Sequence, residues 1–236
     1  LSAARRLAII GDGQMGHAVE QLARAGGWDV VAQIGMKGNE GGKGITRESL
    51  SGADVAIEFT EPSAAAANIS ACLRAGCSVV VGTTGWHDAL PEMEKLAREC
   101  GAALLWSSNF STGVNIFIEI ARRAGELLKN SPTFTAQIRE THHTKKKDAP
   151  SGTAIAIERA TCETLGRAIP IESVREGDVV GTHELTFNSD FEQIALTHTA
   201  RDRRVFAEGA LRAAEWLIGK KGVFTMQDVL GLGGKR

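Results

Sequence analysis

The sequence predicts an α/β protein in two parts: a doubly wound parallel sheet, then an α+β region with an open mixed sheet of its own. Three observations carry this. The first half repeats one phrase, a short apolar run, a Gly/Ser/Thr-rich break and a helical pattern. A glycine motif follows the first apolar run directly, and the grammar changes after Pro132. With 236 residues, 43% of them hydrophobic, the chain can core one large domain or two small ones.

The apolar runs fall at 7–10, 30–34, 55–59, 78–81 and 102–106. Runs this short and continuous fit strands covered on both faces, and their alternation with helices implies parallel pairing. Helices are expected near 14–26, 63–75, 88–100 and 113–129; in the last, Val114, Phe117, Ala121, Ala124 and Leu128 form one stripe. Beyond Pro132, Phe134, Ala136 and Ile138 alternate with Thr135, Gln137 and Arg139, as in a half-exposed strand. A hairpin is expected to turn at Asn188, Ser189 and Asp190. The Ala-rich stretch VFAEGALRAAEWLIGK reads as an amphipathic helix packing back on the first part. The expected domains are therefore 1–110 with 208–236, and 111–207.

A net charge of −1 gives no bulk attraction to nucleic acid or an anionic membrane, so any anion binding must come from local clusters. Cys72, Cys77, Cys100 and Cys162 show no metal-ligand spacing and read as free thiols of a reducing compartment. No apolar run reaches membrane-spanning length and the first residues lack a signal-peptide core, so a cytoplasmic location is expected. Trp28, Trp86, Trp106 and Trp216 read as packing groups, and His183 and His198 receive no role.

Gly11, Gly13 and Gly16, with Asp12, Gln14 and Met15 between them, stand where a strand enters a helix. That is the Rossmann-like arrangement for a dinucleotide: tight turn, close backbone approach to a pyrophosphate, close helix packing. Two more strand ends, at Gly82, Thr83 and Thr84 and at Ser107, Ser108, Asn109 and Phe110, should line the same crevice. An acid that would hold the adenosine ribose of NAD is missing: Gly35 stands in its place and Lys37 follows. NADPH is therefore expected to bind at least as well as NADH, unless Glu40 or a shifted register restores the acid.

The stretch ETHHTKKKDAPSGTA, residues 140–154, combines a strand end, a loop and a helix start. Alternation puts Glu140 and His142 on one face and His143 on the other, so the adjacent histidines would not share a metal, and none is expected. Pro150 ends what precedes, Ser151 or Thr153 can cap, and the N–H groups of Ser151, Gly152 and Thr153 would attract a carboxylate. A solvated basic loop formed by Lys145, Lys146 and Lys147 is the bland alternative.

The whole assembly resembles the 4-hydroxy-tetrahydrodipicolinate reductase (dihydrodipicolinate reductase) family. The signature matches at His142, His143, Lys146 and 148–154, with further matches at 11–16, EFTEPSA, GTTGW, SSNFSTGVN and FAEGALRAAEWL. The resemblance implies reduction of a cyclic imine dicarboxylate by a nicotinamide cofactor in diaminopimelate and lysine biosynthesis. It implies His142 as general acid/base, Lys146 as proton donor, His143 as a substrate contact, and Gly152 and Thr153 as carboxylate holders. It also implies a homotetramer joined through the second domain's sheet. Another two-domain NAD(P)H reductase, or a module that binds NADPH without turnover, are the alternatives.

Overall fold

A computed structural model of the chain describes residues 4–232. The ends of the predicted first domain, 1–3 and 233–236, lie outside the described residues. In chain order, the first stretch gives β1 (Arg6–Ile10), α1 (Gln14–Ala25), β2 (Asp29–Ile34), β3 (Val55–Glu58) and α2 (Pro62–Arg74). It continues with β4 (Ser78–Val81), α3 (Leu90–Cys100) and β5 (Ala103–Trp106). Next come α4 (Thr112–Leu128), β6 (Thr135–His142), α5 (Gly152–Leu165), β7 (Ile171–Arg175), β8 (Gly181–Asn188) and β9 (Gln193–Ala200). The last elements are α6 (Arg204–Leu217), β10 (Gly222–Phe224) and α7 (Met226–Leu230). Contacts divide the chain into two compact units, one from Ser111 to Arg203 and one made of what precedes and follows it.

The first unit is a six-stranded, wholly parallel sheet in the order β10-β5-β4-β3-β1-β2. Alternation along each strand feeds two cores. Leu7, Ile9, Val55 and Ile57 join Val19 and Ala23 of α1 and Ala207, Ala210 and Leu217 of α6. Ala8, Ile10, Ala56 and Val79 join Ile69 and Leu73 of α2 and Met93 and Leu96 of α3. Both faces are covered, which is why the strands read as continuous apolar runs. β10 has only three residues and borrows its register from β5; no sequence signal predicts it.

The second unit holds a four-stranded mixed sheet in the order β7-β6-β8-β9. β6 and β8, and β8 and β9, are antiparallel, and β7 runs parallel to β6. One face packs Ile138, Leu185 and Phe187 against Phe117 and Ala121 of α4 and Ala154 and Ile157 of α5. The other face carries Gln137, Arg139, Thr182, Glu184 and Thr197 and lies open, half-buried or exposed.

Candidate active site

Alternation aims Glu140 and His142 at the helix-covered side of the second sheet, along with Ile138. Strand register then chooses their neighbours. Glu140 pairs with His183 on β8 and Ser173 on β7, and His142 pairs with Arg175 on β7. Gly181 closes the other flank of His142, since a Cβ there would come 3.0 Å from its Nε2. Three strands thus bring an acid, a base and two imidazoles to one spot.

Glu140 is fully buried. Its Oε1 accepts a hydrogen bond from Arg175 Nη2 at 2.9 Å, and its Oε2 pairs with His142 Nδ1. Arg175 also donates to the carbonyls of Val174 and Asp148, tying β7 to the loop after β6. In that loop Lys146 Nζ donates to Asp148 Oδ1 at 2.8 Å. Ser151 caps α5, its Oγ accepting the Ala154 N–H at 3.2 Å and lying 3.2 Å from His183 Nε2. The His142 and His183 rings meet edge to face with centroids 5.1 Å apart.

These contacts set the charges. Burial would raise the Glu140 carboxyl, but hydrogen bonds from Arg175 and Ser173, then the charge of His142, hold it below the usual range. Burial pushes the His142 imidazole below its ordinary value, with Lys146 and Arg175 adding to it and Glu140 opposing. Burial, then the charge of His142, brings His183 down to about 4. Glu140 is thus an anion, and at neutral pH His142 is a neutral ring whose Nδ1–H faces it; the tautomer is assigned from that contact.

Ligand atoms of Glu140, His142 and His183 lie within 4.8 Å of one another. Both oxygens of Glu140 already hold Arg175 and His142, and His183 Nε2 meets Ser151. The Arg175 guanidinium already neutralises Glu140 through Oε1, so the donor set suits a charge-balanced network better than a metal.

Of the three lysines, Lys146 is half-buried, while Lys145 and Lys147 are exposed. His143 is half-buried, with Nδ1 fully enclosed and unpaired. A side chain on Gly152 would meet nothing within 4 Å, so the start of α5 is open there. Thr153, next to it, is half-buried. Sequence reasoning placed Glu140 beside His142 without giving it a role, and it missed Arg175 and His183. Alternation was the signal for Glu140; the other two depend on strand pairing that no local pattern reveals.

In the first unit, Gly11 has φ +119°, and a Cβ there would sit 2.1 Å from the Phe59 carbonyl oxygen. A Cβ on Gly16 would sit 2.2 Å from the Gly11 oxygen, so α1 packs directly on the turn. Gly13, at the N-cap of α1, faces open space. Beside the turn is a cavity of about 460 Å³ whose lining includes Gly11, Asp12, Gly13, Gly35, Asn39 and Thr60. An open glycine at a helix N-terminus beside a cavity fits the pyrophosphate and adenosine half of a dinucleotide. Gln14 is exposed and Met15 half-buried in the first turn of α1.

The other expected contacts divide. Gly82 is overlain by the Phe59 ring, since its Cβ would lie 1.9 Å from a ring carbon. Thr83 is buried, its Oγ1 accepting the Thr60 N–H at 2.7 Å and its carbonyl accepting Trp86 Nε1 at 2.9 Å. Thr84 and Ser108 are exposed, and Ser107 Oγ donates to Asn109 O at 2.7 Å within a small turn. Phe110 is 2% exposed as a whole residue, its ring edge-on to Phe59 at 6.1 Å and its carbonyl oxygen packed against Gly209, so it backs the loop from inside.

At the end of β2 stands a side chain from another part of the chain. The expected absence of a carboxylate holds for β2 itself, yet one stands there. A Cβ on Gly35 would lie 2.2 Å from Asp12 Oδ2, so the Asp12 side chain fills the space that Gly35 leaves. Lys37 is exposed and outside the cavity lining.

A parallel sheet with a glycine turn, joined to a second unit bearing a buried Glu-His pair beside a capped helix, defines the class: a two-unit NAD(P)H-dependent oxidoreductase. Comparison with known proteins makes the class specific. The family model described as "Dihydrodipicolinate reductase, N-terminus" matches residues 5–110, and the one described as "Dihydrodipicolinate reductase, C-terminus" matches residues 113–230. The 4-hydroxy-tetrahydrodipicolinate reductase of Christiangramia forsetii is 35% identical over 95% of this chain and 97% of its own. That of Methanoregula boonei is 42% identical over 76% and 75%. A dipicolinate-bound dihydrodipicolinate reductase from Paenisporosarcina sp. TG-14 superposes with a TM-score of 0.80 over 95% of this chain and 99% of its own, at 22% identity. The chain belongs to the dihydrodipicolinate reductase family and acts in diaminopimelate and lysine biosynthesis.

Proposed function

We propose that the network at the end of β6 manages protons while 4-hydroxy-tetrahydrodipicolinate is reduced to tetrahydrodipicolinate. The observation that supports this is the chain of contacts from Arg175 through Glu140 to His142, ending beside the start of α5. When bound, NADH or NADPH supplies the hydride. Replacing a hydroxyl by that hydride also consumes one proton and releases water. Lys146, whose ammonium is held by Asp148, delivers the proton. His142, neutral and with Nδ1–H committed to Glu140, accepts and relays protons through Nε2.

Two substrate carboxylates need counter-charge and donors. The N–H groups of Ser151, Gly152 and Thr153 supply them at the helix start, with Lys146 and His143 alongside. The turn of Gly11, Asp12, Gly13, Gln14, Met15 and Gly16 holds the cofactor phosphates. Gly82, Thr83 and Thr84, with Ser107, Ser108 and Asn109, complete the cradle, and the buried Phe110 backs it. Lys37, expected to draw in a 2′-phosphate, is exposed and outside the cavity lining, while Asp12 would repel one, so cofactor choice turns on Asp12.

Substituting His142→Ala or Lys146→Ala lowers kcat by about 10²-fold in a synthase-coupled assay and leaves NADH and NADPH affinity unchanged. Near-normal turnover in both variants would refute the assignment. The protein further reads as a cytoplasmic homotetramer, with the open face of the second sheet as its interface and free cysteines suited to a reducing compartment. No helix among the described residues is long and apolar enough to cross a membrane.

A further inference from the structure

We propose that Asp12, from the glycine turn, replaces the carboxylate missing at the end of β2, holds the adenosine ribose hydroxyls, and makes NADH the preferred cofactor. The proposal rests on the reading of the cavity as the adenosine site and deepens it. Parallel α/β sheets that select NAD place an acid at the end of the second strand, where it accepts hydrogen bonds from the ribose diol and repels a 2′-phosphate. Here that strand ends in Ile34 and continues into Gly35, which has no side chain to offer.

The geometry supplies the acid from the neighbouring strand instead. Gly11 N–H donates to the Ile34 carbonyl at 2.8 Å, which docks the glycine turn on the end of β2. Asp12 follows, and its Oδ2 lies 2.2 Å from where a Gly35 Cβ would be. Any larger residue at 35 would expel it, so the missing side chain and the incoming carboxylate are one adaptation. Asp12 is exposed, and no hydrogen bond or ion pair to it is found among the described residues, leaving both oxygens for a ligand. The cavity it enters is also lined by Glu40 and Glu61 and by no Lys, Arg or His. A diol suits that lining; a dianionic 2′-phosphate does not. Lys37 and Lys43, the cations of the loop after β2, are outside the lining.

The test is equilibrium binding, followed by nicotinamide fluorescence and calorimetry, of NADH and NADPH to the full chain and its Asp12→Asn and Lys37→Ala variants. The wild type binds NADH about tenfold more tightly than NADPH. Asp12→Asn weakens NADH about tenfold and leaves NADPH unchanged or tighter, with thermal unfolding unmoved because the side chain has no protein partner. Lys37→Ala changes neither ratio. A wild-type preference for NADPH, an equal effect of Asp12→Asn on both nucleotides, or a loss of NADPH binding confined to Lys37→Ala would each overturn the proposal. Failure of the wild type to bind either nucleotide would instead remove the cofactor-site reading beneath it.

Discussion

An imidazole whose Nδ1–H is committed to a buried carboxylate has only Nε2 left for chemistry, so Glu140 determines which nitrogen of His142 can work. The anion also props up the His142 pKa against burial. In Glu140→Gln that support is lost, the His142 pKa falls further, and the acid limb of the kcat/KM profile moves to lower pH. kcat should drop at every pH, because the ring is no longer held. A variant with lower kcat but an unmoved limb would reduce Glu140 to a structural role. His183 gives the reverse lesson, a stability cost. Between its ordinary 6.5 and the folded value of about 4, the unfolded chain binds a proton that the folded chain refuses. Stability therefore falls as pH falls through that window, by about 3 kcal/mol in all. Denaturant titrations of His183→Gln across the window should show a flatter dependence. Alternation made the Glu140 and His142 pairing legible in the sequence; Arg175 and His183 were invisible because strand register alone brings them there.

Helix ends and helix contacts follow at the next scale. α5 starts at Ser151, whose Oγ serves both the Ala154 N–H and His183. Ser151→Ala should cost about 1 kcal/mol for the cap alone and also release His183 from its partner. α6 is fixed by a closer contact. A Cβ on Gly209 would lie 1.7 Å from the Phe110 carbonyl oxygen, a backbone atom that cannot swing away. Gly209→Ala should therefore destabilise the first unit by about 3 kcal/mol, readable as a lowered Tm, although Ala is the better helix former. Continuous apolar runs marked β1, β3, β4 and β5 because those strands are buried, β2 showed a run although it is a half-buried edge strand, and helical patterns marked α1 to α4. β7 and β10 escaped because edge strands of five and three residues take their form from a neighbour rather than from their own pattern.

For the whole molecule, the open face of the second sheet is the surface that assembly would cover. Light scattering of the 25.0 kDa chain should report about four copies, and Ala195→Asp, on the exposed side of β9, should yield a smaller species. An unchanged mass for the variant would place the interface elsewhere.

The division of the chain has a consequence for how the protein is made. The face of the first sheet that presents Leu7, Ile9, Val55 and Ile57 is covered in part by α6, with Ala207, Ala210, Ala213, Ala214 and Leu217 buried there. α6 leaves the ribosome after the entire second unit. The nascent first half must therefore wait with an oily surface uncovered, while the later-made middle segment, contiguous from Ser111 to Arg203, is free to fold at once. Birth order and folding order are inverted, and a fragment ending near residue 110 should aggregate rather than fold.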